Sequence, residues 1–128
     1  MSLIPFSNKT NRNGSLTITV DKMGRLCLSS SLRRELGAFG SPIKLYVSYD
    51  KVNKRIGIAK TEVVRLTDTI PYKFDGSRGY TMARNFLKAN QIPHDTAYRY
   101  EYDGKEDGWL TFRLEGYEAP DQPEQPDA

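Results

Sequence analysis

The stretch from Leu16 to Lys60 limits what this chain can fold into more than any other. It reads LTITVDKMGRLCLSSSLRRELG, then, after a short break, KLYVSYDKVNKRIGIAK. Leu16, Ile18 and Val20 alternate with Thr17, Thr19 and Asp21, the period-two pattern of a half-buried strand. Asp21-Lys-Met-Gly24 follows as a turn, with Gly24 at a position that calls for positive φ, and Arg25–Leu28 returns as a second strand. Ser29, Ser30 and Ser31 can each offer a hydroxyl to an orphan N–H at a helix start. The spacing therefore predicts a helix over Ser31–Leu36, with Leu32 and Leu36 on one face and Gly37 as a left-handed cap. Ile43–Tyr49, a polar turn at Asp50–Lys54 and Arg55–Ala59 complete the unit as a hairpin. Four short strands and a helix of under two turns bury too little surface to be stable alone, so the unit requires a partner.

The second half of the chain supplies one on the same plan. Phe74-Asp75 through Gly79-Tyr80 stands where Val20-Asp21 through Gly24-Arg25 stood. Tyr80–Ala83 reads as the strand after the turn, Arg84–Asn90 as the short helix with Phe86 and Leu87 on its apolar side, and Ala97–Tyr102 and Trp109–Leu114 as a hairpin around a polar turn at Asp103–Gly108. Gly24 to Gly79, Leu32 to Leu87, Tyr49-Asp50 to Tyr102-Asp103 and Ile56 to Trp109 give offsets of 53 to 55 residues. The expected organisation is a flexible arm over 1–15 with a turn at Asn13-Gly14, a first half-barrel over 16–60, and a linker over 61–72 with a short strand at Val63–Leu66. A degenerate second half-barrel over 73–115 and an acidic, proline-bearing disordered tail over 116–128 follow. The fold class is mainly β with short helices: two interleaved hairpin units closing one barrel as a pseudo-dimer.

Charge is distributed unevenly. Residues 1–63 hold eleven Lys/Arg against four Asp/Glu, giving +7, whereas residues 64–128 hold eight against twelve, giving −4. A one-sided cationic field steers polyanions. No apolar run is long enough to span a membrane, and the N-terminus lacks the continuous apolar stretch of a secretory signal. With Cys27 as the single cysteine, no internal disulfide can form, so a cytoplasmic protein with a buried structural thiol is expected. His94 is the only histidine, and no glycine-rich phosphate loop or zinc ligand set is present, so neither enzyme activity nor a metal or other cofactor is expected.

The string Val20-Asp21-Lys22-Met23-Gly24-Arg25-Leu26-Cys27-Leu28, followed by Leu32-Arg33-Arg34-Glu35-Leu36-Gly37, resembles the swapped-hairpin β-barrel family of the AbrB, MazE and SpoVT type. The resemblance covers residues 16–60, and the tandem arrangement is similar to that of MraZ. It implies a bacterial or archaeal regulator or antitoxin that binds DNA through arginines near the Gly-Arg turn and on the short helix; Arg25, Arg33 and Arg34 occupy those positions. This chain departs from the pattern at Ser29, where the family has proline, and at Ile18 and Thr19, where it commonly has bases. In the second copy Tyr80 replaces the arginine after glycine, and Lys88-Ala89 replaces the Arg-Arg pair.

The expected function is double-stranded DNA binding by a transcriptional regulator of this type, through Lys22, Arg25, Arg33, Arg34, Arg78 and Arg84. Arginine's planar fork holds phosphate oxygens or the guanine edge. The alternative is a protein-binding module, antitoxin-like or an inhibitory adaptor, with little DNA affinity. Further expectations are a homodimer or higher oligomer, and a protein partner taken up by the acidic tail.

Overall fold

A computed structural model of the protein describes residues 15–117. The expected N-terminal turn at Asn13-Gly14 and all of the tail beyond Tyr117 lie outside them. The first unit comprises β1 (Thr17–Val20), β2 (Arg25–Leu28), α1 (Ser30–Glu35), β3 (Ile43–Asp50) and β4 (Arg55–Lys60). The second comprises β5 (Tyr72–Phe74), β6 (Tyr80–Met82), α2 (Arg84–Ala89), β7 (Tyr98–Glu106) and β8 (Trp109–Leu114). All pairings are antiparallel and join the strands in the order β5-β3-β4-β8-β7-β1-β2-β6. At the seam, Asp75 N–H donates to Tyr80 O at 3.0 Å across the β5–β6 turn, so the sheet is a nearly closed barrel.

The strand order answers the size problem of the first unit. The β1–β2 hairpin is flanked by β7 and β6, and the β3–β4 hairpin by β8 and β5. Each unit thus covers the edges of the other, and no strand is left as a long open edge. The register carries a local two-fold relation at two places. Gly57 faces Thr111 across β4–β8, with Ile56–Phe112 and Ile58–Leu110 on either side, so the ladder maps onto itself when residues 54 apart exchange. Leu26 faces Thr81 across β2–β6, flanked by Arg25–Met82 and Cys27–Tyr80, which relates residues 55 apart.

Inward residues of both units build a shared core. Ile18, Leu26, Leu45, Ile56, Ile58, Phe74, Tyr100 and Phe112 are fully buried. Leu32 of α1 and Leu87 of α2 complete it from the helices. Ser29 caps α1 by accepting from Leu32 N–H at 3.2 Å, and Gly37 ends it at φ 74°. α2 begins at Ala83 without a side-chain cap.

Three local expectations are corrected. The segment Val63–Leu66 is not a strand: Val63 and Val64 N–H both donate to Lys60 O (3.0 and 3.1 Å), forming a turn. β4 already pairs with β3 and β8, so no vacant edge remains for it there. β7 does not end at Tyr102 but runs to Glu106 past a bulge at Tyr102/Gly104. Glu106 is a ladder residue opposite Trp109 and Asp103 is the bulged residue, and both carboxylates meet arginines on neighbouring strands. Arg113 meets Asp103 and Arg55 meets Glu106, each at 3.0 Å. The true turn is only Asp107-Gly108, both at positive φ (49° and 89°), as a two-residue hairpin turn demands. Consequently Tyr49, opposite Ile56, corresponds to Lys105, opposite Leu110, and Ile56 does not match Trp109.

Gly24 and Gly79 sit at φ 88° and 75° in the two turns, each under an arginine from the other unit. A Cβ on Gly24 would lie 2.5 Å from Arg84 Cγ, and one on Gly79 would lie 2.5 Å from Arg33 Cδ. Arg84 is exposed and can swing aside, whereas Arg33 is buried. Gly79→Ala is therefore expected to cost about 2–4 kcal/mol and Gly24→Ala about 1–2 kcal/mol, read by denaturant midpoint at constant slope.

Candidate nucleic-acid interface

The β2–β6 ladder faces inward through Leu26, which directs Arg25 and Cys27 outward beside Met82 and Tyr80. The Asp21–Gly24 turn lies at one end of this two-stranded ribbon and the Asp75–Gly79 turn at the other. Ala83 N–H donates to Gly24 O at 2.8 Å and Leu28 N–H to Gly79 O at 2.9 Å, so each turn is stitched to the opposite strand.

Asp21 organises the first turn. Its Oδ1 accepts from Met23 N–H (3.0 Å) and Arg25 N–H (2.9 Å), while its Oδ2 accepts from Arg25 Nε at 2.7 Å. Arg25 is thereby held with its guanidinium 4.4 Å from the Tyr80 ring centre, a cation–π contact that presets its direction. Its Nη groups have no hydrogen-bond acceptor among the described residues. Lys22 is exposed at the tip, and Arg84 donates from Nε to Met23 O at 3.1 Å. At the other end, Asp75 Oδ1 accepts from Arg78 N–H (2.8 Å) and Gly79 N–H (2.7 Å), leaving the Arg78 side chain exposed.

The six basic residues expected at the site fall into three groups. Lys22, Arg25, Arg78 and Arg84 surround the ribbon. Arg34 is exposed on α1, with its guanidinium 4.3 Å from the ring of Phe39. Arg33 is not a surface group. Only 8 % exposed, it crosses to the second turn and donates from Nη2 to Gly76 O at 2.8 Å.

Sequence reasoning missed Asp21 and Tyr80, which orient Arg25, and it missed a pair on β3–β5. Lys44 and Lys73 are direct cross-strand neighbours, both exposed. Like charges at such a position oppose folding, and only the strand register reveals them. Cys27 is half-buried rather than interior; burial, with Asp21 adding to it, pushes its thiol up to about 11.

The two turn carboxylates titrate below the ordinary 3.8. For Asp21, burial pushes upward but is outweighed by Arg25 and the Met23 N–H; for Asp75, the Arg78 N–H dominates the lowering. A depressed folded value means these groups stabilise the fold above the ordinary carboxylate range and lose that contribution as pH falls through their folded values. Stability should be flat above about pH 5 and decline below about pH 4. Asp75→Asn should make the decline shallower in acid-denaturation curves.

No family model, curated protein or solved structure matches the chain.

Proposed function

We propose that this protein binds double-stranded DNA through the outer face of the β2–β6 ribbon and acts as a transcriptional regulator of the AbrB type. The observation that carries the reading is the placement of basic side chains at both ends of one two-stranded ribbon: Lys22, Arg25 and Arg84 at the first turn, Arg78 at the second. A ribbon of this kind fits a major groove about 12 Å wide. The opposed Lys44 and Lys73 support it, since a polyanion would relieve their repulsion. In this reading Arg33 positions the second turn and does not touch DNA. The interleaved strands and the 54- and 55-residue relations support an origin in two tandem repeats that form a pseudo-dimer within one chain.

Fluorescence anisotropy with a random-sequence duplex tests this. Binding that weakens steeply between 50 and 200 mM salt, with a log–log slope of about −4 or steeper, is expected. A second reading, a protein-binding module, is favoured by Met23 and Met82, which stand 53 % and 49 % exposed among the same bases. Absence of salt-sensitive duplex binding would favour it.

A further inference from the structure

The two equivalent regions of the barrel wall are finished differently. In the β3–β4 hairpin, the pair next to the closing Asp50–Arg55 pair is Tyr49–Ile56. The Tyr49 ring meets Phe86 edge-on at 6.5 Å, and Phe86 meets Tyr72 at 6.4 Å, so an aromatic plug fills that region. In the β7–β8 hairpin the pair next to the closing Glu106–Trp109 pair is Lys105–Leu110. There Tyr102 meets Phe112 edge-on at 5.7 Å, but no ring occupies the Lys105 position among the described residues. Instead a cleft of about 400 Å³ opens, walled by Leu16, Leu36, Ile58, Val63, Tyr102 and Leu110. Val63 and Tyr102 on its rim are 57 % and 41 % exposed.

Two lysines, Lys60 and Lys105, also line this cleft, together with one carboxylate, Glu35. Neither lysine has an ion-pair partner among the described residues, Glu35 included. An apolar trough that size, rimmed by two unpaired ammonium groups against one acid, is complementary to a body without polar atoms carrying one anionic head. Lys105 stands at the position that Tyr49 fills in the other hairpin, so a ligand there would replace the missing ring and supply the missing countercharge.

We propose that this cleft binds a small amphipathic carboxylate, of the medium-chain fatty acid class, with its chain against Ile58 and Leu110 and its head between Lys60 and Lys105. The site is independent of the DNA reading and uses none of its residues.

The test is titration of the full-length ¹⁵N-labelled protein with octanoate below its micelle concentration, with 1-octanol as the uncharged probe. Saturable amide shifts at Leu16, Ile58, Val63 and Leu110 are expected, with octanol at least about fivefold weaker. The Lys60→Gln/Lys105→Gln protein should bind octanoate at least about tenfold more weakly, and Lys105→Tyr, which rebuilds the plug, should abolish the shifts while keeping a folded spectrum. Absence of saturable shifts, equal affinity for the alcohol, or no effect of the lysine changes would overturn the proposal. Shifts that follow protein concentration without ligand would also overturn it, by marking a second copy as the occupant.

Discussion

Arg33→Ala is expected to destabilise the protein by about 2–4 kcal/mol, a shift of roughly 8–25 °C in Tm for a domain this size. Three losses combine. The Gly76 carbonyl forfeits its donor at 2.8 Å, the stem that packs over Gly79 leaves a void, and α1 loses its link to the β5–β6 turn. Part of the arginine is already poorly served, because its Nε is buried with no hydrogen-bond partner among the described residues. Leucine should therefore be better tolerated than alanine. Arg33 N–H donates to Ser29 O and Leu87 N–H to Ala83 O at the same step of the two helices, so Leu87 stands opposite Arg33 and not opposite Leu32 as the sequence alignment expects, and already fills the equivalent position. Arg33→Leu should recover at least half of the alanine loss. Folded Arg33→Leu protein should also keep its duplex affinity within about threefold, because the residue positions the turn and is not a contact. Thermal unfolding and anisotropy at fixed salt measure the two quantities separately.

The second large effect concerns affinity. Replacing Lys22, Arg25 and Arg78 together by glutamine should weaken duplex binding about 10²–10³-fold at moderate salt and make the salt slope shallower by about 3, since each phosphate contact contributes about 0.9. Arg84 is left in place because its Nε holds Met23 O. Stability should change little, as Lys22 and Arg78 are exposed, and the Arg25–Asp21 ion pair is partly solvent-accessible and weakly stabilising. Glutamine at Lys51, Lys54 and Arg65, on the β3–β4 turn and the linker, removes the same charge elsewhere and should change affinity by less than about tenfold. The comparison separates a located interface from a general effect of net charge.

The sequence made the hairpin units legible because alternation, turn glycines and serine caps are local signals, each acting over a few residues. Gly24, Gly37 and Ser29 do in the structure what their neighbours imply. The β7–β8 turn was not legible, because Asp103 and Glu106 look like turn residues until their partners Arg113 and Arg55 are brought alongside from other strands. The same holds at the candidate interface. Lys22, Arg25, Arg78 and Arg84 are visible as bases near turns, but nothing local distinguishes Arg33 from Arg34. Adjacent residues on a helix point about 100° apart, and only the packing of the second turn against α1 sends one inward and leaves the other in water. Lys44 and Lys73 are 29 residues apart and become neighbours only through the β3–β5 register.

An amide-shift footprint of a short random-sequence duplex on the ¹⁵N-labelled protein locates the interface residue by residue. Shifts and broadening are expected to concentrate at Lys22, Arg25, Arg78, Tyr80, Met82 and Arg84 and to fade as salt rises. A footprint centred on the β3–β4 and β7–β8 turns, with the β2–β6 ribbon unmoved, would contradict that placement.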